Sequence, residues 1–263
     1  MKSSSLHWSF YTDQETAPSF ICGTIHIGLE RCTVYWPLIS EYIQKYNRIY
    51  TESSLDPRAQ VLLQPSTLLP VGVSVHDYIS HRRWSKMRSQ FIRFTKVDID
   101  QLKMLHPLFI LTTIQLELLG VKGQASLDQR IWNQAKEEGK FKDGIESPEE
   151  QMLALKSMDL GALYLQLVRV SKRISSTRAQ LNRLIDIYVS QDIHKMYKMT
   201  KATMGNNKGS LIYKRNQVIA QRLLRLHKEE PSFFSFGAGH LAGHKGVLRY
   251  LKNEGAHIVS ISK

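Results

Sequence analysis

Two Gly-x-x-His tetrapeptides lie at opposite ends of the 263-residue sequence. Residues 23–26 (GTIH) follow the apolar segment SFIC, and residues 237–240 (GAGH) follow the apolar segment SFFSF. Each pattern predicts a buried β-strand that ends at a glycine, with His26 or His240 just beyond it. If the two strands are neighbours in one sheet, two neutral imidazoles converge there. Such a pair is half of a metal site or of an acid–base pair.

Two glutamates follow other predicted strands in the same way. Glu52 follows the segment RIYT, and Glu146 follows the segment FKDGI. Active groups in open α/β sheets gather at the carboxyl ends of the strands, so we expect both glutamates near the two histidines. Two histidines with one or two carboxylates suit a divalent cation that keeps a position open for water. Such a cation polarises a carbonyl and activates water, and a carboxylate can act as general base.

Each of these residues also has a simpler interpretation. A histidine after a glycine is often a loop residue or a helix cap, and a glutamate at a strand end often pairs with an arginine. Arg215 and Asn216 lie near the start of the helix before the second Gly-x-x-His segment. Arg215 suits a substrate carboxylate or a developing oxyanion, and it suits equally a structural salt bridge to Glu146 or Glu52. Gly237 and Gly239 allow the backbone to approach a ligand closely.

The elements that must position these residues alternate between strand and helix at both ends of the chain. The middle, from about residue 75 to 200, is mostly helical by its spacing of apolar residues. Pro107 predicts a kink or break in a helix over 100–119, and Ser126 with Gln129 predicts a capping box. A Gly/Asn/Lys-rich loop is expected at 204–209. The pattern favours one α/β domain over 1–263, a central mixed sheet flanked by helices with a helical insertion or cap at roughly 75–200.

Composition bounds the partners and the compartment. Lys and Arg number 36 against 23 Asp and Glu, a net charge of +13, and residues 81–96 are densely basic. This stretch is either a surface for nucleic acid or an anionic membrane, or the solvated face of a helix. The longest apolar stretch is well short of the ~20 residues that span a bilayer, so we expect no transmembrane segment. The N-terminus lacks the apolar segment of a signal peptide, which predicts a cytoplasmic protein, or a secreted or periplasmic one if a signal was removed.

The ordered set of motifs resembles one protein family. GTIH, IYTES, GIESPEEQ, YKRN and FGAGHLAGHKGVLRYLKNEGAHIV occur in this order between about residues 6 and 259. This order resembles the TraB/GumN family, which is similar to the Tiki metalloproteases and is grouped with the erythromycin-esterase and ChaN-like folds. The resemblance implies an α/β fold and a divalent-metal-dependent hydrolase. It also implies that the hydrolase is a peptidase acting on a peptide or small protein.

The resemblance also assigns roles by position. It implies that His26 and His240 hold the metal ion, with Glu52 as a further ligand or as base to metal-bound water. The other matching positions are, in chain order, Glu146, Arg215 and Asn216. Glu146 is then a second carboxylate ligand or orients a histidine, Arg215 stabilises the oxyanion, and Asn216 is expected at the substrate. Mn²⁺ or Co²⁺ fits the resemblance, and Zn²⁺ fits the chemistry equally well.

Two other functions stay open at this point. The same fold could bind a peptide or a haem-like ligand without turnover, and a site without metal affinity would indicate such a module. Alternatively, the basic stretch could bind nucleic acid or anionic lipid, which steeply salt-dependent binding would indicate. We rank both below the hydrolase.

Overall fold

The computed structural model describes residues 4–13, 17–121, 124–203 and 213–261. Its strands form one mixed six-stranded sheet in the order β4-β3-β5-β2-β1-β6. In chain order, the strands are β1 (His7–Tyr11), β2 (Ser19–Thr24), β3 (Arg48–Ser53), β4 (Phe141–Glu146), β5 (Phe233–Gly237) and β6 (His257–Ser260). With helices around this sheet, the predicted α/β class is confirmed.

The four strands on one side of the sheet are parallel. β5 lies between β2 and β3 and is parallel to both, and β4 is parallel to β3. The antiparallel strand β1 joins β2 to β6. Thr24, at the end of β2, lies opposite Gly237, at the end of β5, so the two Gly-x-x-His segments leave the sheet side by side. The predicted pairing of their strands is therefore confirmed.

The central strands are buried on both faces, as parallel strands covered by helices are. All six residues of β2 are buried, and so are the first four residues of β5. The rings of Phe20 and Phe233, which are register partners, lie with centroids 5.1 Å apart. Apolar side chains on both faces explain why these segments read as continuous apolar runs in the sequence.

The described α-helices account for most of the remaining chain. They are α1 (Trp36–Lys45), α2 (Pro57–Leu63), α3 (His81–Thr95), α4 (Pro107–Leu118), α5 (Leu127–Glu137), α6 (Pro148–Lys156), α7 (Leu160–Lys172), α8 (Ile174–Val189), α9 (Ile193–Thr203), α10 (Arg215–Glu229) and α11 (Val247–Asn253). The predicted loop at 204–209 lies outside the described residues. In the segments that the structure describes, every helix is too short or too polar to cross a membrane.

Contacts within the chain define two compact units. The first, here called the sheet unit, comprises Met1–Ala59, Gln124–Pro148 and Leu184–Lys263 and holds the whole sheet. The second, the helical unit, comprises Gln60–Gly123 and Glu149–Arg183. An apolar core that includes Trp84, Phe91 and Tyr164 joins helices α3, α4 and α7 within the helical unit. A single domain with an insertion at 75–200 stays a prediction.

Candidate functional site

The candidate site lies at the carboxyl ends of the parallel strands, within the sheet unit. Glu52 is the fifth residue of β3, Glu146 ends β4, and His26 follows β2 by two residues. His240 ends a 3₁₀ turn, Ala238–His240, that directly follows β5. The charges of His240, Arg215 and His26 all act on the Glu52 carboxylate. The structure thus brings the four residues expected from the strand ends to one edge of the sheet.

Arg215 joins the two glutamates. Its Nη2 lies 2.6 Å from Oε1 of Glu52 and 2.6 Å from Oε2 of Glu146, while its Nε lies 2.7 Å from Oε1 of Glu146. The second oxygen of Glu52 accepts the backbone N–H of Gly237 at 2.8 Å. Both carboxylates are buried. Of the two interpretations that the sequence left open for Arg215, these contacts correspond to the structural salt bridge.

The charged network keeps Glu52 ionised. Burial alone would raise the pKa of Glu52, but the positive charge that His240 carries at low pH, the charges of Arg215 and His26 and the Gly237 N–H outweigh it and lower this pKa to about 2. Burial alone would lower the pKa of Arg215, but its hydrogen bonds to Glu146 and Glu52 outweigh this effect and raise the pKa above its usual value. At neutral pH Glu52 is therefore a carboxylate, and the Arg215 guanidinium is ion-paired with both Glu52 and Glu146.

Asn216 holds His240. The Nδ1 atom of His240 lies 2.5 Å from Oδ1 of Asn216, whose Nδ2 donates to the carbonyl of Lys245 at 2.7 Å. Because the amide must donate through nitrogen to that carbonyl, its oxygen is the acceptor, and the His240 proton belongs on Nδ1. Burial lowers the pKa of His240 to about 4, so the ring is neutral at pH 7 and Nε2 carries a lone pair. Asn216 is fully buried, and its predicted contact with substrate stays a prediction.

Asp128 holds His26 in a similar way. The Nδ1 atom of His26 lies 2.9 Å from Oδ2 of Asp128. The His26 side chain is 65% exposed, whereas the Asp128 side chain is 9% exposed. The carboxylate raises the pKa of His26 to about 9, so at neutral pH a cation at Nε2 would have to displace a proton. The sequence analysis missed Asp128, because an acidic residue in the first turn of a helix is common and gives no sign that its side chain points inward.

The glycines of the two motifs permit close packing of the chain on itself. A Cβ at Gly23 would lie 2.6 Å from Cδ1 of Leu241, and one at Gly239 would lie 2.4 Å from Oγ1 of Thr200 in α9. At Gly237 the nearest atom would be Oε2 of Glu52, at 3.3 Å. The close approaches that these glycines allow are thus made by the protein itself. Binding of substrate by Gly237 and Gly239 stays a prediction.

The donor set of the candidate site contains ligand types suited to a metal ion, but it forms no complete metal-binding group among the described residues. Across residues 4–13, 17–121, 124–203 and 213–261, no three His, Cys, Asp or Glu side chains are arranged as a metal-binding group. Each of His26 and His240 has an oxygen acceptor at Nδ1, which is how metal-ligating histidines are usually held, and coordination would use Nε2. Both oxygens of Glu52 have protein partners. The two imidazoles are of the ligand type that divalent cations accept, and Glu52 could join them only by giving up one of its protein partners, so metal binding at this site stays a prediction.

Comparison with known proteins gave two consistent results. The model of the TraB/PrgY/gumN family matches residues 6–259. Metalloprotease TIKI1 of Danio rerio is 22% identical, covering 97% of this chain and 63% of the relative. Metalloprotease TIKI homolog of Nematostella vectensis is also 22% identical, covering 92% of this chain and 64% of the relative. The chain thus spans less than two thirds of these relatives. No solved structure matches it significantly.

Proposed function

Because the chain belongs to the TraB/PrgY/gumN family, we propose that it is a divalent-metal-dependent hydrolase that cleaves a peptide or small protein. The observation that carries the proposal is the pair of histidines at one sheet edge, each with a side-chain oxygen within 2.9 Å of Nδ1, which leaves Nε2 as the atom for coordination. Relatives that are named metalloproteases support both the metal and the peptide.

In this proposal His26 and His240 hold the cation through Nε2, and Glu52 completes the protein ligands. A bound cation of this kind polarises a scissile carbonyl and lowers the pKa of its water. Mn²⁺, Co²⁺ and Zn²⁺ all accept imidazole and carboxylate ligands, so the donor set does not choose between them. The identity of the ion is left to experiment.

The contacts favour some roles for the other residues over others. A carboxylate whose pKa is about 2 is a weak proton acceptor, so Glu52 suits a ligand better than a general base while Arg215 holds it. The charge of Arg215 is already compensated by two carboxylates. We therefore assign Arg215 to fixing Glu52 and Glu146 in place. To stabilise an oxyanion, Arg215 would have to release Glu52 or Glu146.

One observation supports a second candidate function. Both Glu52 oxygens are engaged by the protein, and the described residues include no preformed three-ligand group. A site that never exchanges these partners would bind a peptide or haem-like ligand without turnover. Metal affinity discriminates between the two functions, because only the hydrolase requires it.

The experiment compares four proteins: the wild type, His26→Ala, His240→Ala and His244→Ala. His244 is an exposed histidine four residues after His240 and serves as the matched control. Metal content and Mn²⁺-dependent melting are measured at neutral pH. We expect one equivalent of Mn²⁺ in the wild type and the control. We also expect about 2.7 kcal/mol of stabilisation at a hundredfold excess over Kd, and neither effect in the other two variants.

If Mn²⁺, Co²⁺ and Zn²⁺ all fail to bind the wild type, the metal mechanism is excluded and the binding module becomes the leading function. If the ion binds but His240→Ala binds it equally well, the ligand set is wrong. Binding by the wild type and His244→Ala alone would justify a screen of peptide libraries with the matched metal.

A further inference from the structure

Asp128 is a buried carboxylate outside all the sequence motifs. It is 6% exposed and lies in the first turn of α5, two residues after the N-cap residue Ser126, whose hydroxyl accepts the Gln129 N–H. A helix N-terminus favours a negative charge, which lowers the cost of placing an acid there. An acid whose side chain points to solvent would stabilise the helix N-terminus equally well. The inward orientation therefore needs another cause, because burying a carboxylate is costly unless it is paired.

The partner of Asp128 is His26. The Nδ1–Oδ2 distance is 2.9 Å, an ion-pair contact, and in the part of the chain that the structure describes both Asp128 oxygens lack a well-aligned hydrogen-bond partner. This arrangement differs from the Glu52–Arg215–Glu146 network, in which every group has a charged neighbour of opposite sign. Asp128 is thus a buried acid whose one contact is with a residue of the candidate site.

A carboxylate at Nδ1 has a defined effect on an imidazole. It fixes which nitrogen carries the proton, limits rotation of the ring and makes Nε2 a better donor to a ligand. His26 needs this restraint more than His240 does, because its side chain is 65% exposed. His240 is held by a buried neutral amide instead.

We propose that Asp128 is a positioning residue that sets the tautomer and the ring orientation of His26, so that Nε2 is the atom offered to the cation. The role in cation binding rests on the proposed function. The orientation of His26 itself does not, and it can be measured without any metal.

The first measurement is Mn²⁺ affinity by titration calorimetry, with four proteins: the wild type, Asp128→Ala, Asp128→Asn and Asp186→Ala. Asp186 pairs with Arg31 at an exposed site and is the matched control for loss of an acid. We expect Asp128→Ala to weaken Mn²⁺ binding about 10- to 100-fold. Asp128→Asn, which keeps an acceptor oxygen, should lose less, and Asp186→Ala should bind like the wild type. Wild-type affinity in Asp128→Ala would overturn the role in cation binding.

The second measurement uses metal-free protein and long-range ¹H–¹⁵N spectra of the histidine rings, recorded above pH 9, because Asp128 raises the pKa of His26 to about 9 and only the neutral ring has a tautomer. We expect the His26 proton on Nδ1 in the wild type and in Asp186→Ala. In Asp128→Ala at the same pH we expect the Nε2–H tautomer that free imidazole prefers. An unchanged His26 signal in Asp128→Ala would overturn the proposal even if Mn²⁺ affinity falls. If the wild type binds no Mn²⁺ but the tautomer depends on Asp128, the proposed function fails and the positioning role stands.

Discussion

At the scale of single residues, Arg215 links the two carboxylates of the candidate site. Its guanidinium makes three hydrogen bonds of 2.6–2.7 Å to Glu52 and Glu146, both of which are buried. A planar guanidinium can satisfy two carboxylates at once because its donors are fixed in one plane. Without it, two like charges would face each other away from water.

Removal of Arg215 is therefore expected to destabilise the fold. Arg215→Met should lower the free energy of unfolding by about 3–5 kcal/mol, because it leaves buried charges unpaired. Arg31→Met, which breaks the exposed pair with Asp186, should cost no more than about 1 kcal/mol. Urea unfolding monitored by circular dichroism measures both. Equal losses in the two variants would show that the buried network is not a stabilising feature.

The sequence predicted which residues would meet at the sheet edge, and it left open whether Arg215 pairs with Glu146 or Glu52 or contacts a substrate. Glu52, Glu146 and the histidines follow apolar strands, and parallel strands place their carboxyl ends at one edge, so their proximity follows from the chain pattern alone. The partner of Arg215 and the inward turn of Asp128 depend on how helices α10 and α5 pack. Side-chain direction on a packed helix is set by tertiary contacts, which no local pattern specifies.

At the scale of elements, Gly23 allows the turn that carries His240 to rest directly on β2. A Cβ at this position would lie 2.6 Å from Cδ1 of Leu241, 3.2 Å from Cβ of Ala238 and 3.3 Å from its Cα. The first glycine of one Gly-x-x-His motif thus fixes the approach of the other motif. The helix boundaries confirm two sequence predictions. α4 begins at Pro107, where a break was expected, and the Ser126 hydroxyl caps α5.

Gly23→Ala is expected to cost about 1–3 kcal/mol of unfolding free energy, because the added methyl overpacks a region that includes backbone. Leu241→Ala, combined with it in a double-mutant cycle, should show positive coupling, since it removes the nearest contact. Thermal or urea unfolding of the two single variants and the double variant gives the coupling. Strictly additive losses would show that Leu241 is not the clashing group.

At the scale of the whole molecule, stability is expected to depend on pH through His7, a histidine outside the candidate site. His7 is buried beside the rings of Phe20 and Tyr35, and both of its ring nitrogens lack a hydrogen-bond partner among the described residues. Its register partner across the β1–β2 pair is the buried thiol Cys22. Burial lowers the pKa of His7 to about 4, from an ordinary value near 6.5.

A buried histidine whose pKa is lowered on folding has its full stabilising contribution above its unfolded pKa, where the ring is neutral in both states. As the pH falls from the unfolded pKa to the folded pKa, only the unfolded state takes up the proton, and the free energy of unfolding decreases. The wild type should therefore lose up to about 3 kcal/mol relative to His7→Phe between pH 6.5 and pH 4, with no further loss below pH 4. Denaturant unfolding of both proteins at several pH values measures the difference. Parallel stability curves would mean that His7 is not the titrating group.

The position of β5 in the sheet has a consequence for how the protein is made. β5 separates β2 from β3, yet it lies more than two hundred positions after β2 in the chain. During synthesis the pairs β1–β2 and β3–β4 can form early, but the edges of β2 and β3 that β5 later covers stay without a neighbour until residue 237 has left the ribosome. Open strand edges attract other open edges. Soluble yield in a cell should therefore depend on the supply of chaperones that cover nascent chains.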